Sequence, residues 1–347
     1  GVRIDLVTSS VGEYEKINFS KNITIYRLDI NKDKTKLHSQ SNLDLLKYSW
    51  KAFWFCRKLK KKKNYDLVHA FFGIPCGFLA MLLNVDYIVS LRGSDVPFYS
   101  KKYYWLDFFV FRFLSKLVWS RAAAVVANSE GLKELALKNR KGQAISVIYN
   151  GVDVDKFKTR LGGFKKGNIF KVVSASRLVE RKGFNYALKA FIKFNRKYPN
   201  SRLIFAGDGP MKGVLIQMAN KAKLKDKVVF LGVVDRDRIQ EVYQDAYVFI
   251  LPSLNEGMSN SLLEAMASGL AIITTNTGGT RELIDETNGI IVKKRNAKDI
   301  YLALEKLYKN RKLLNRMRKS SRKKAERMSW EIACKKYLDI YKRLIKK

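Results

Sequence analysis

Residues 251–269, LPSLNEGMSNSLLEAMASG, hold the pattern on which the fold turns. The apolar, β-branched run at 247–251 reads as a strand that ends at Pro252. A loop carrying Glu256 and Gly257 follows, and a helix is expected from about 259–261, with Leu262, Leu263 and Met266 as its apolar positions. Amides at such a helix start have no intrahelical partner and receive anionic or hydroxyl groups. Glu256 sits in the loop at the strand's carboxyl end, and Glu264, about one turn into the helix, reaches the same crevice. Carboxylates accept paired hydrogen bonds from vicinal sugar or ribose hydroxyls. Alone, two glutamates eight apart read more readily as a loop charge and a helix-surface residue.

Outward from this stretch, short apolar runs alternate with longer helical patterns, as in a doubly wound parallel sheet. Strands are expected in the first half at 3–8, 23–28, 67–71, 87–91, 123–127 and 145–148. In the second half they are expected at 171–174, 202–206, 228–231, 247–251, 271–274 and 289–292. Between the halves, the basic, glycine-bearing residues 156–168 (KFKTRLGGFKKGN) read as a linker. The α/β architecture expected is therefore two Rossmann-like, doubly wound parallel-sheet domains facing a cleft, where ligands usually bind.

Four further segments follow strands of the second half. In 174–184 (SASRLVERKGF), Arg177 and Lys182 stand beside Gly183, and two cations there suit a diphosphate. In a chain this basic they also read as ordinary surface cations. Residues 205–210 (FAGDGP) form a glycine turn that includes Gly207; 231–234 (LGVV), with Val233, offer backbone to a flat base; and 277–280 (TGGT) permit close backbone approach.

In order, these pieces resemble the C-terminal domain of glycosyltransferase family 4, a GT-B family. The family pattern S-x-R-L-x-x-x-K-G, G-x-G-P, F-x-G, P-S-x-x-E-G with L-x-E-A-M-A-x-G, and G-G-x-x-E appears at Arg177/Lys182, 207–210, 230–232, Glu256/Glu264 with Gly269, and 278–282. The match covers roughly residues 170–292 and continues into Ser329, Trp330 and Glu331. Jointly the motifs outweigh the bland reading of each. The resemblance implies retaining, metal-independent transfer of a sugar from a nucleoside diphosphate to a glycan or lipid-linked acceptor, with no cofactor. It implies that Arg177 and Lys182 neutralise the diphosphate and that Glu256 contacts the donor sugar. Gly257, Met258 and Ser259, with Asn260, Ser261 and Leu262 at the helix start, then lie along the donor, and Glu264 holds the ribose hydroxyls. The expected domains are 1–158, binding acceptor, and 165–329, binding nucleotide sugar, with a helix at about 330–347 packing back on the first.

The first half matches less closely. Residues 66–77 (DLVHAFFGIPCG) resemble the family's D-x-x-H-x-H segment, with His69 kept and Phe71 at the second histidine. At 91–95 (LRGSD), Arg92 replaces the histidine of H-G-x-D, and Asp95 remains as a polar contact. Arg92 hydrogen-bonds oxygens or pairs with an anion, but it is no base at neutral pH. Residues 1–9 resemble the second strand of the N-terminal Rossmann unit. A first strand, its glycine-rich loop and a helix are then expected to precede it, and strands 3–8 and 67–71 are not expected to be hydrogen-bonded to each other.

Composition narrows the classes. Three distant cysteines and two histidines, His38 and His69, argue against a disulfide framework or a multi-histidine metal cluster. With 68 Lys and Arg against 31 Asp and Glu, the net charge is +37. No zinc-finger or RNA-binding signature supports nucleic acid as the partner. Residues 47–63 (KYSWKAFWFCRKLKKKK) hold eight basic residues, five aromatics and no acid, and 101–121 add a second aromatic-rich helix. Both suit an anionic membrane interface, so the expected location is cytoplasmic, peripheral on the inner face of the cell membrane. The bland alternative is a lysine-rich habit on solvated faces. Three other functions compete: a GT-B epimerase, for which the chain offers few acid–base side chains; a catalytically degenerate, membrane-associated protein that partners an active enzyme; and a nucleic-acid-binding protein.

Overall fold

The structure, a computed structural model, describes residues 2–32, 41–99, 104–159, 162 and 167–345. His38, the lysines at the start of the 101–121 stretch and much of the expected linker (160–161 and 163–166) lie outside the described residues. By compactness the chain divides into two units. Unit 1 is Gly1–Val126, Ala136–Ser146 and Tyr341–Lys347; unit 2 is Ala127–Leu135 and Val147–Ile340.

In unit 1, β1 (Ile4–Ser10), β2 (Glu15–Ser20) and β3 (Ile23–Asp29) form one sheet of order β1-β3-β2. Strand β1 runs parallel to β3, whereas β2 is antiparallel to it, which corrects the all-parallel expectation for this half. A second sheet, of order β4-β5-β6-β7, holds β4 (Val68–Phe71), β5 (Tyr87–Leu91), β6 (Ala124–Ala127) and β7 (Ser146–Val147). β1 and β4 belong to different sheets and are not paired. β5 is buried along its whole length, as its largely apolar run YIVSL requires, with Ser90 as the one small polar residue. The helix Asn42–Lys62 begins with a capping box, in which Ser41 and Asp44 each satisfy the other's amide.

Unit 2 is a six-stranded sheet of order β10-β9-β8-β11-β12-β13. Its strands are β8 (Phe170–Ala175), β9 (Ser201–Ala206), β10 (Val228–Gly232), β11 (Val248–Leu251), β12 (Ala271–Thr275) and β13 (Gly289–Val292), with every pair parallel. In β11 every residue is buried, because helices cover both faces of the sheet. The helix Phe184–Lys197 turns Phe184, Ala187, Leu188, Phe191 and Phe194 inward at three- and four-residue spacing. The chain order 3-2-1-4-5-6 places a topological switch point between β8 and β11, where open α/β sheets bind ligands.

The division between units falls elsewhere than at 158/165. Residues 127–135 and 147–158 group with unit 2. The Ile148 amide donates to Ala127 O at 3.0 Å, and the Val152 amide donates to Met328 O at 2.8 Å. Gly151 lies so close to Trp330 that a Cβ there would sit 2.5 Å from its backbone. Only the end of the last helix, Trp330–Ile345, groups with unit 1.

Candidate functional site

The loops leaving β8 and β11, the two strands flanking the switch point, meet in unit 2. The loop after β8 carries Arg177 exposed at its tip and Lys182 buried, 5% exposed. The loop after β11 carries Glu256, whose carboxylate takes the Lys182 ammonium in a buried ion pair. Gly183 makes the approach possible. Its φ is +67°, and a Cβ there would stand 2.3 Å from Pro252 O. Burial pulls the Lys182 ammonium below the usual lysine range; Glu256 offsets part of this, and the nearby guanidiniums of Arg181 and Arg177 add to it. Arg181 lies 3.6 Å from the same carboxylate, donates to Asn255 O at 3.2 Å, and accepts from the Leu254 amide through its own carbonyl. Nothing in the spacing singled out Arg181, which reads as one more cation in a basic stretch.

Gly257 and its neighbours are fixed from the far side. The Gly279 amide donates to Gly257 O at 2.8 Å, and Gly278, with φ +45°, packs its α-carbon against Glu256 O and Gly257 O. The helix starts where expected, as Asn260–Ala267 with Ser259 at its N-cap and no side-chain cap. Ser259 and Ser261 hydroxyls bond at 3.1 Å, and Asn260 Oδ1 accepts from Asn150 Nδ2 at 2.8 Å. Met258 and Leu262 are buried in the hydrophobic core, so only their backbone is available at this end of the helix.

Glu264 is half-buried and accepts the Tyr243 hydroxyl at 3.0 Å. Burial pushes its carboxyl above the usual range, opposed by that hydrogen bond and by the charges of Arg236 and Lys156. Tyr243, fully buried in the helix Ile239–Gln244, was not legible as a site residue; in sequence it is one more core aromatic. At the end of β10, Gly207 N donates to Gly232 O at 2.6 Å, and Val233 is 60% exposed. Glu282, the last residue of the G-G-x-x-E pattern, accepts from the Glu130 and Gly131 amides at 2.9 and 3.4 Å, capping the helix Glu130–Asn139.

In unit 1 the three candidates have structural work. His69 Nε2 bonds Ser90 Oγ at 2.7 Å and Nδ1 bonds the Tyr341 hydroxyl at 2.5 Å, with the ring stacked on Phe71 at 4.3 Å. Burial, aided by Arg92, lowers its pKa to about 4, so the imidazole is neutral. The Arg92 guanidinium lies 4.7 Å from the Phe71 ring centre. Asp95 is buried and accepts three amides, from Gly73 at 2.7 Å, Arg92 at 2.9 Å and Gly93 at 2.8 Å. It ties the loop after β5 to the loop after β4. Of the sequence-predicted residues the structure therefore brings together Lys182, Glu256 and the 257–261 backbone. It places Glu264 one turn along the same helix.

Comparison with known proteins bears on both units. Residues 155–324 match the family described as Glycosyl transferases group 1, and residues 1–156 match Glycosyltransferase Family 4. The Escherichia coli UDP-Gal:alpha-D-GlcNAc-diphosphoundecaprenol alpha-1,3-galactosyltransferase is 30% identical over 307 residues, covering 82% of this chain and 76% of that protein. The putative teichuronic acid biosynthesis glycosyltransferase TuaC of Bacillus subtilis is 29% identical over 266 residues, 72% of this chain and 63% of its own length. The solved sucrose-phosphate synthase of Thermosynechococcus elongatus has a TM-score of 0.83 at 19% identity, covering 98% of this chain and 88% of that one. Anabaena Alr3699/HepE, solved with UDP-glucose, has a TM-score of 0.74 at 17% identity, covering 99% of this chain and 100% of that one. The structural likeness shows the GT-B fold, and the sequence matches show that the chain belongs to the group 1 glycosyltransferases.

Proposed function

We propose that the protein transfers a sugar, with retention and without a metal, from a nucleoside diphosphate sugar to a lipid-linked glycan acceptor. The observation that carries this is the buried Lys182–Glu256 pair at the switch point, with Arg181 and Arg177 on the same loop. Three cations at the carboxyl end of β8 suit the two negative charges of a bound diphosphate and the third that it gains as it leaves. Glu256 and the 257–259 amides hold the sugar, Glu264 accepts the ribose hydroxyls, and the exposed edge at Val233 receives the base. The bond between the anomeric carbon and the β-phosphate oxygen breaks, and its electron pair leaves on the diphosphate. The acceptor hydroxyl oxygen bonds that carbon on the same face, and its proton goes to the departing phosphate. The UDP-glucose complex of the Anabaena neighbour supports a uridine donor, and the name of the Escherichia coli relative supports a diphospholipid acceptor.

The test is release of UDP, GDP or ADP from a donor panel in the presence of lipid-diphosphate acceptors. Turnover is expected with one base and to persist within about twofold in EDTA, since protein cations rather than a metal meet the leaving charge. Loss of activity in EDTA would remove the metal-independent reading. No release from any donor would make the chain a non-catalytic partner.

A further inference from the structure

Unit 1 carries an apolar face on the outer side of a helix. The chain runs helically through Tyr104–Leu106, a wider turn at Asp107–Phe111, and Arg112–Arg121. Its inward stripe is complete: Asp107, Ser115, Val118 and Trp119 are buried, and Asp107 anchors the Phe98 amide at 2.9 Å. The outward stripe, at four-residue spacing, is where a water-facing helix carries charge. Here it holds Trp105, Phe109 and Phe113, which are 70%, 64% and 62% exposed, followed by Leu117. Trp105 and Phe109 stack at 6.1 Å and begin a ridge that Phe113 and Leu117 continue at the same spacing. Exposed apolar surface on this scale marks an interaction site.

Beside the ridge lies a pocket of about 410 Å³ lined by Arg112, Lys116, Lys138, Asn139, Arg140 and Lys141, five cations and no acid. Arg112 belongs to both features, its guanidinium 6.0 Å from the ring centres of Phe108 and Phe113. Arg140 Nη1 donates to Lys116 O at 2.6 Å, which holds residues 138–141 against the helix. Among the described residues, no ion pair joins any of the five to an acid. Five like charges around one pocket repel one another, and an anion placed among them relieves that repulsion.

We propose that ridge and pocket together dock an anionic phospholipid bilayer, with a headgroup phosphate in the pocket and Trp105, Phe109 and Phe113 in the interface. A soluble anion would need the cations alone, and a protein groove would need the rings alone. A bilayer surface presents phosphate and hydrocarbon at adjacent depths. The lysine cluster at 60–63 is the lesser candidate, because Lys60 is spent on Leu83 O and Asn84 O and Lys63 on Asp5. The inference gives the lipid-linked acceptor reading a place to act, but it is tested without donor or acceptor, so either can fail alone.

The experiment is co-sedimentation of the full chain with vesicles of phosphatidylcholine, or of equal parts phosphatidylcholine and phosphatidylglycerol. Binding is expected only to the anionic vesicles and should be released by salt. The Lys116→Gln/Lys138→Gln/Lys141→Gln variant should bind on the order of a hundredfold more weakly, at roughly one headgroup-attraction increment per lysine. The Trp105→Ser/Phe109→Ser/Phe113→Ser variant should bind about tenfold more weakly or worse. Brominated lipid should quench a part of the fluorescence that Trp105→Phe lacks. Melting temperature and far-ultraviolet circular dichroism, unchanged in all variants, report that they fold. Equal partition of either triple variant and the parent would overturn the proposal, as would equal binding to neutral vesicles. So would self-association of the parent that the serine variant abolishes, which would assign the ridge to a second copy.

Discussion

Asp95 in unit 1 and Glu256 in unit 2 occupy matching places: each follows a buried parallel strand and each is largely shielded from water. Their partners differ. Asp95 is answered by three backbone amides, which cannot leave without moving the loops they belong to. Glu256 is answered by side-chain cations, Lys182 and Arg181, for which the diphosphate of the proposed function would compete. A carboxylate held by amides is part of the frame; one held by ammonium and guanidinium groups is part of an exchange. A carboxylate after a buried parallel strand thus meets backbone amides in one unit and side-chain cations in the other.

The largest effect that could break this contrast is at Lys182. Lys182→Ala and Arg177→Ala should each lower turnover roughly 100-fold or more at saturating donor, the usual loss for one preorganised charge contact. Lys182→Ala should also lower the melting temperature, since it strands Glu256. The double variant Lys182→Met/Glu256→Gln should recover most of that stability, because removing a buried pair together costs little. Turnover should stay lost. Recovery of both would make the pair as architectural as Asp95.

His69 tests whether unit 1 titrates as a frame. Its folded pKa of about 4 lies below the ordinary 6.5, so the unfolded chain takes up its proton first. The stability it contributes is complete above pH 6.5 and is lost as the pH falls towards 4, about 3 kcal/mol in all. Urea unfolding of His69→Gln should lack that slope; an unchanged slope would place the titration elsewhere. Asp95→Asn should cost about 2 kcal/mol, because its amide would face amide donors. Its kcat in the folded fraction should match the parent, and a specific loss of kcat would return Asp95 to the chemistry. The smallest effect is expected at Tyr243. Tyr243→Phe should weaken donor binding by about 1 kcal/mol, one hydrogen bond's worth of Glu264 positioning. Calorimetric titration with UDP measures it, and unchanged affinity would remove Tyr243 from the site.

The strands of unit 2 were legible because β8, β9, β11 and β12 are buried almost throughout and therefore read as largely apolar runs. β2, EKINFS, escaped because only Ile17 is partly buried, so its sequence carries no buried face to detect. Lys182 and Glu256 were legible because both sit just past such runs. Asp95's role was not, since its partners are backbone amides that any sequence supplies. Nor was the division between units: the glycines of 156–168 suggested a linker, but Gly151 and Val152 had already joined the chain to Met328 and Trp330. The 101–121 stretch read as an interfacial helix from its composition, but ring spacing alone does not say which rings face outward; the structure places Trp105, Phe109 and Phe113 on that side.

Gly278 has a mechanical consequence. With its α-carbon against the carbonyls of Glu256 and Gly257, and Gly279 bonded to Gly257, the loops after β11 and β12 form one stiff piece. The Glu256 carboxylate is then aimed by two strands at once, and a side chain at 278 would displace it without touching any ligand. A lineage that needs a new donor has little room to explore here. The side chains of Leu231 and Val233 are exposed beside the Gly207–Gly232 bridge, so under the proposed function substitutions there reach the base without moving the loop that carries Glu256.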